Sequence, residues 1–314
     1  MVERPGFSLK LVDGLQIISL VDNVVDLLSS VDKEDVHPAR EWAKQGSDLL
    51  TADHGFSILV RLGKSFTILF DTGSNPNSII KNACSLNLSL NEVDCIVLSH
   101  GHWDHVGGLA SALDAIGKAD LPVIVHRDMF KVRGNASRDE KVRQYPKSPL
   151  LGKLKGANLI ETKRPSIVAE GMALVTGEIP RTNEFEKGYS KHRAFIEGTW
   201  KPDPLILDDR ALVISVKDKG LVVITGCAHA GIINTIRYAQ KITGVEAVYA
   251  VLGGFHLAGK ENEDRIKRTV EELRNINPKR IIPSHCTGWR GTLAIANTLP
   301  EAFVFGSVGT LYEF

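Results

Sequence analysis

Ser99-His100-Gly101-His102-Trp103-Asp104-His105-Val106-Gly107-Gly108 is the stretch around which this chain is organised. Before it runs Val93 to Leu98, a short apolar β-forming segment broken by Asp94 and Cys95. After it, Leu109, Ala112, Leu113 and Ile116 recur at helical spacing. The stretch is thus a strand-to-helix loop carrying four metal-ligating side chains within six residues. Histidines one residue apart in extended backbone point to the same side. Asp104 and His105, entering the helix, face elsewhere, so the run suits two adjacent ions better than one. Gly101, Gly107 and Gly108 remove side chains that would block close backbone approach. Imidazole with carboxylate suits zinc, and also iron or manganese. A single histidine is ordinarily a surface or satisfied core residue, but four ligand-type residues at this spacing argue for metal.

The pattern His-x-His-x-Asp-His also resembles the signature of the metallo-β-lactamase superfamily. That resemblance implies an α/β fold, a four-layer αββα sandwich forming one domain over residues 1–314, with a mono- or dinuclear metal site between its two sheets.

Composition sets modest bounds and fits a soluble protein. The 314 residues offer ample material for a core. Lys+Arg 38 against Asp+Glu 37 leaves no net field to draw nucleic acid or an acidic membrane, so neither is expected as a partner. Cys84, Cys95, Cys227 and Cys286 form no C-x-x-C pair and no disulfide-like spacing, which fits a reducing, cytoplasmic setting. No basic-then-apolar leader opens the sequence, and no apolar run approaches the length of a membrane span.

Taken in order, Leu15 to Val25 reads as an opening strand ending around Asp22-Asn23, and Asp26 to Asp48 is polar and mixed. Phe56 to Leu62 and Ser65 to Phe70 flank Gly63-Lys64 as a hairpin, ending at Asp71-Thr72-Gly73. The resemblance implies that Asp71 orients a ligand histidine; the plain alternative is a turn aspartate. His54 could reach the site or cap the strand. Pro122 to Val125 is a further short strand. A departure over 127–164, rich in Lys, Arg, Gly, Ser and Pro, is either a solvated insertion or a cover that selects substrate.

Thr176-Gly177-Glu178-Ile179-Pro180-Arg181 follows. Arg181 could clamp a phosphate or carboxylate and Glu178 could ligate or hold another ligand, against the bland possibility of a salt-bridged turn. This stretch, Asp208-Asp209 and Thr225-Gly226-Cys227-Ala228-His229-Ala230-Gly231 resemble the superfamily branch named for a methanopterin-pathway synthase, which joins a dihydropterin to a ribofuranosyl-aminobenzene phosphate.

Three further apolar runs end in histidine: Leu221 to Thr225 before His229, Ala247 to Leu252 before His256, and Arg280 to Pro283 before His285. Ligands gather at the carboxyl ends of strands in α/β sheets. Ile266, Val270 and Leu273 mark an amphipathic packing helix. The resemblance implies that His100, His102 and His229 hold one metal and Asp104, His105 and His285 a second, with His256 facing substrate. One departure stands out: Cys227 occupies the place of the superfamily's bridging aspartate. We expect Cys227 to lie beside the site and Asp209, ahead of Asp208, to approach the metals instead.

Two divalent ions, zinc first among them, would acidify a water and polarise the scissile group. No G-x-S-x-G elbow competes as a nucleophile. The expected activity is hydrolysis of a small phosphate-bearing substrate, with Asp104, His256 and Arg181 at the reacting centre. The alternatives are the pterin-forming transferase, a lactone or thioester hydrolase, and, least, a redox metal module.

Overall fold

The computed structural model describes residues 6–148 and 154–314. Its first sheet draws on β1 (Leu15–Val21), β2 (Val36–His37), β3 (Ser57–Leu62), β4 (Phe66–Phe70), β5 (Cys95–Val97) and β6 (Leu121–Val125). The next strands are β7 (Val132–Ala136), β8 (Val142–Gln144), β9 (Ala157–Glu161), β10 (Ser166–Val168), β11 (Ala173–Val175), β12 (His192–Ile196) and β13 (Thr199–Pro202). The last are β14 (Ala211–Val216), β15 (Gly220–Thr225), β16 (Val248–Gly254), β17 (Arg280–Ser284) and β18 (Leu311–Glu313). Helices α1 (Ala39–Trp42), α2 (Pro76–Ser85), α3 (Trp103–Val106) and α4 (Leu109–Ile116) fall in the first half, and α5 (Ile232–Thr243), α6 (Ile266–Ile276) and α7 (Gly288–Thr298) in the second.

An eight-stranded sheet runs β2-β18-β1-β3-β4-β5-β6-β9 and a six-stranded sheet β10-β11-β14-β15-β16-β17. Strand periodicity explains why both faces of each are covered. In β3 and β4, Ile58, Val60, Ile68 and Phe70 point between the sheets, against Leu212, Ile214, Val222, Ile224 and Leu252. Their neighbours Leu59 and Leu69 point outward, under Ile79, Leu109, Ala112 and Ile116 of α2 and α4. On the far side, Val251 and Ile281 lie under Ile232, Ile236, Val270, Leu273 and Ile295 of α5, α6 and α7. Each such side chain contributes roughly 1.5–3 kcal/mol of burial. The layers are therefore αββα, as the resemblance implies.

The opening strand is shorter than its apolar run suggests, stopping at Val21. Asp22 turns away from the ladder to accept the backbone N–H of His285 at 2.9 Å. The 127–164 departure is less irregular than its composition implies. β9 extends the first sheet beside β6, while β7 and β8 join β12 and β13 in a separate sheet ordered β13-β12-β7-β8. Part of that departure, residues 149–153, lies outside the described residues. Among the described residues, no helix is long and apolar enough to cross a membrane.

Candidate metal centre

Strands β4, β5, β15, β16 and β17 run parallel where they adjoin, so their carboxyl ends open on one edge of the sandwich. There the chain turns sharply. Asp71, His256 and His285 take left-handed backbone conformations, with φ of 58°, 46° and 47°. Such residues each cost about 1–3 kcal/mol and cluster where a side chain must be aimed. Gly226 permits the close approach of β15: a Cβ there would lie 2.1 Å from Ser99 Oγ and 2.8 Å from Asp71 Oδ2.

The rings of His100, His102 and His229 meet edge to face, with their nitrogens close together. His100 Nε2 lies 2.9 Å from His102 Nδ1, and His229 Nε2 lies 3.2 Å from each. Ligand nitrogens about 2.0–2.1 Å from a tetrahedral ion are separated by about 3.3 Å, so the three fit one ion. The tautomer of His100 follows from its neighbours. Ser99 Oγ has one proton and donates it to Asp71 Oδ2 at 2.6 Å, so it accepts from His100 Nδ1 at 2.9 Å. The lone pair of His100 is then on Nε2, toward its two partners. Burial, reinforced by neighbouring imidazoles, holds all three rings well below the usual histidine range and hence neutral, as ligands must be.

Asp104, His105 and His285 form a second cluster. Asp104 Oδ2 lies 3.3 Å from His285 Nε2 and 3.9 Å from His105 Nε2. His105 Nδ1 donates to Asp71 Oδ2 at 2.7 Å, which leaves Nε2 for the site. His285 Nδ1 meets Asn23 Oδ1 at 3.2 Å, and the Asn23 amide donates to the His285 carbonyl. Burial opposes charge on His285, yet the Asp104 bond and nearby negative groups push it up to about 9. Burial likewise opposes the Asp104 charge, but His105 and His285 hold that carboxyl well below the usual range. An ion seated here would displace the shared proton. The donor set thus fits two divalent ions.

Cys227 and the two carboxylates reverse the expectation drawn from sequence. Cys227 Sγ lies 3.2 Å from His105 Nε2 and is close to ligand atoms of both clusters. Burial pushes its thiol up. Asp209 instead accepts the Ala230 N–H at 2.9 Å, and Asp208 accepts the Gly101 N–H at 2.8 Å and pairs with Arg133. Neither belongs to a ligand cluster among the described residues.

The remaining candidates divide. His54 Nε2 lies 3.5 Å from Asp104 Oδ2, and His256 stacks 4.2 Å from the His229 ring. Both line a cavity of about 390 Å³ above the clusters. Arg181 and Glu178 do not. Arg181 donates to the carbonyls of Ile179 and Leu205, and Glu178 meets His126 at 3.1 Å. The sequence reading also missed residues of the site. Asn23 holds His285, His192 sits 2.9 Å from His102, and Arg143 and Tyr145 line the cavity from the 127–164 departure. Only His192, in a stretch otherwise without ligand spacing, carried a signal in its residue type.

A family model of the metallo-beta-lactamase superfamily matches residues 50–285. The chain is 30% identical over 273 residues to the 7,8-dihydropterin-6-methyl-4-(beta-D-ribofuranosyl)-aminobenzene-5'-phosphate synthase of Methanocaldococcus jannaschii, covering 84% of this chain and 90% of that one. An uncharacterized protein of the same organism is 34% identical over 267 residues, covering 83% of this chain and 93% of that one. Among solved structures, Tm1679, described as a metal-dependent hydrolase of the beta-lactamase superfamily, aligns at a TM-score of 0.73 and 22% identity, covering 96% of this chain and 99% of that one.

Proposed function

The chain belongs to the metallo-beta-lactamase superfamily, and on that premise we propose that it is a metal-dependent hydrolase of small phosphoester-type substrates. The observation that carries this reading is the convergence of three ring nitrogens within 3.2 Å beside the Asp104, His105 and His285 cluster, at the floor of a cavity. When bound, two divalent ions supply an acidified water and neutralise charge on the departing oxygen. His100, His102 and His229 would hold the first and Asp104, His105 and His285 the second, with the Cys227 sulfur within reach of both and zinc the best match to the donor set.

The chain's own groups do the rest. Asp71 and Asn23 orient His105 and His285, so each presents Nε2. His256, beside His229 and open to the cavity, is placed to meet the leaving group or its proton. Arg143 at the cavity wall is exposed and has no acidic partner among the described residues. It takes over the phosphate-clamping role first assigned to Arg181. Tyr145, Tyr189 and Pro146 limit the water around the substrate.

The 30% identical synthase supports a second reading, transfer of a dihydropterin onto a ribofuranosyl-aminobenzene phosphate. Trp103, Tyr145 and Tyr189 around the cavity would suit planar rings. One assay separates the two. The purified, metal-analysed protein is offered phosphomonoesters, phosphodiesters, lactones, thioesters and the pterin diphosphate pair. Metal-dependent phosphoester turnover is expected. Turnover of lactones or thioesters alone, or a condensed product from the pterin pair alone, overturns the hydrolase reading.

A further inference from the structure

His192 opens β12, in the small sheet that covers the cavity, and is fully buried. Its backbone is held on both sides, donating from N to the Tyr189 carbonyl at 3.1 Å and accepting from Asp203 N at 3.0 Å. Its ring Nδ1 lies 2.9 Å from the Asp203 carbonyl and its Nε2 lies 2.9 Å from Nε2 of His102. A carbonyl can only accept, so His192 Nδ1 donates. The Nε2 of a neutral ring is then a lone pair, and the atom it faces, His102 Nε2, must carry the proton. The other nitrogen of His102, Nδ1, is the one that meets His100 and His229.

We propose that His192 is a positioning residue of the metal centre, locking His102 in the tautomer whose Nδ1 lone pair joins those of His100 and His229. The proposal rests on the metal-centre reading above but assigns a role to a residue outside every ligand cluster. It also gives the cover sheet a second duty. The same sheet carries Arg133, which pairs with Asp208, and Asp208 holds the Gly101 N–H of the metal loop. Tyr145 packs edge-on against His102 at 5.5 Å and lies 6.0 Å from His192, closing the side of the pair. Cover and metal loop are therefore tied at two points, one of them a ligand.

Two measurements test this. In metal-free wild type near neutral pH, long-range proton–nitrogen spectra of the imidazoles should find His102 protonated on Nε2 and His192 on Nδ1 only. The opposite tautomer of His102, or a doubly protonated His192, overturns the proposal without any variant. Then His192→Phe keeps a ring and removes the acceptor, while His192→Gln returns an acceptor oxygen near the place of Nε2. Chelator competition should show about 10–100-fold weaker binding of one zinc in His192→Phe, with a shifted cobalt(II) absorption spectrum, and most of the loss recovered in His192→Gln. Wild-type affinity and spectrum in His192→Phe, or no recovery in His192→Gln, overturns it. His102→Ala distinguishes the two layers of argument. If it keeps both ions the metal-centre reading fails; if it loses one while His192→Phe loses none, only the role of His192 fails.

Discussion

Oδ2 of Asp71 lies 2.7 Å from Nδ1 of His105. That one contact leaves Nε2 of His105 facing Asp104 and Cys227. The same carboxylate also accepts the backbone N–H of Ser99 at 2.7 Å and its hydroxyl at 2.6 Å, so it ties the end of β4 to the end of β5. Asp71→Asn leaves one acceptor oxygen where two served three donors. Second-site metal affinity should fall about 10–100-fold, and stability by about 1–3 kcal/mol. Chelator competition and urea unfolding check the two effects, and unchanged affinity would remove Asp71 from its role.

The two clusters should be separable by substitution. His102→Ala removes a nitrogen from the first and should drop one ion and the activity while the sandwich core holds the fold. Asp104→Asn keeps size and removes the charge beside His105 and His285, so the second ion should weaken preferentially. A metal titration in which Asp104→Asn weakens both ions equally would sink this distribution of ligands.

Cys227 sits where both clusters can reach its sulfur. A metal stabilises thiolate over thiol directly, which outweighs the burial that otherwise keeps the thiol protonated. X-ray absorption of the zinc-loaded protein should therefore show sulfur at about 2.3 Å. Cys227→Ser should lower metal content, whereas Asp209→Ala should leave it intact, because Asp209 bonds Ala230 instead. A spectrum with only nitrogen and oxygen scatterers would contradict this.

Arg143 offers the cavity a cation that no acidic side chain pairs with among the described residues. Arg143→Ala should raise KM for phosphate-bearing substrates about 10–100-fold, from the roughly 1.5–3 kcal/mol of a hydrogen bond to a charged group, with kcat little changed. Equal KM for wild type and variant would return the phosphate contact to some other residue.

Asp208 makes stability depend on acid. Burial opposes its ionisation, but the Arg133 guanidinium and the Gly101 N–H bring its carboxyl down to about 2 from an ordinary 3.8. A depressed carboxyl stabilises the fold above its unfolded value, and that contribution disappears as pH falls through the folded one. The buried pair should thus contribute about 2 kcal/mol above pH 4, lost between about pH 4 and pH 2. Urea midpoints measured across that range should slope steeply in wild type and less in Asp208→Asn. Parallel slopes would show that other carboxylates dominate.

Much of this was legible in the chain. The hairpin around Gly63-Lys64, the helix from Leu109 and the strands ending before His229, His256 and His285 stand where their periodicity puts them. These are local signals, carried by residues two to four apart. The cover was not legible in the same way. β7 pairs with β12, about sixty residues on, and short polar strands carry no periodic mark of a distant partner.

Read through its resemblance, the sequence alone implied the superfamily, the layered fold and the six residues that gather in the two clusters. Those six lie in one dense motif or just after apolar strands, and a strand end is a place that hydrophobic patterning can locate. Which groups stand beside them was settled by the packing of distant elements. Arg181 and Glu178 bond to Leu205 and His126, Asp209 to Ala230, and His192, Asn23 and Arg143 arrive from other elements. A hydrogen bond is settled within about 3 Å, and which side chains come that close depends on how whole sheets pack, a relation no spacing along the chain records.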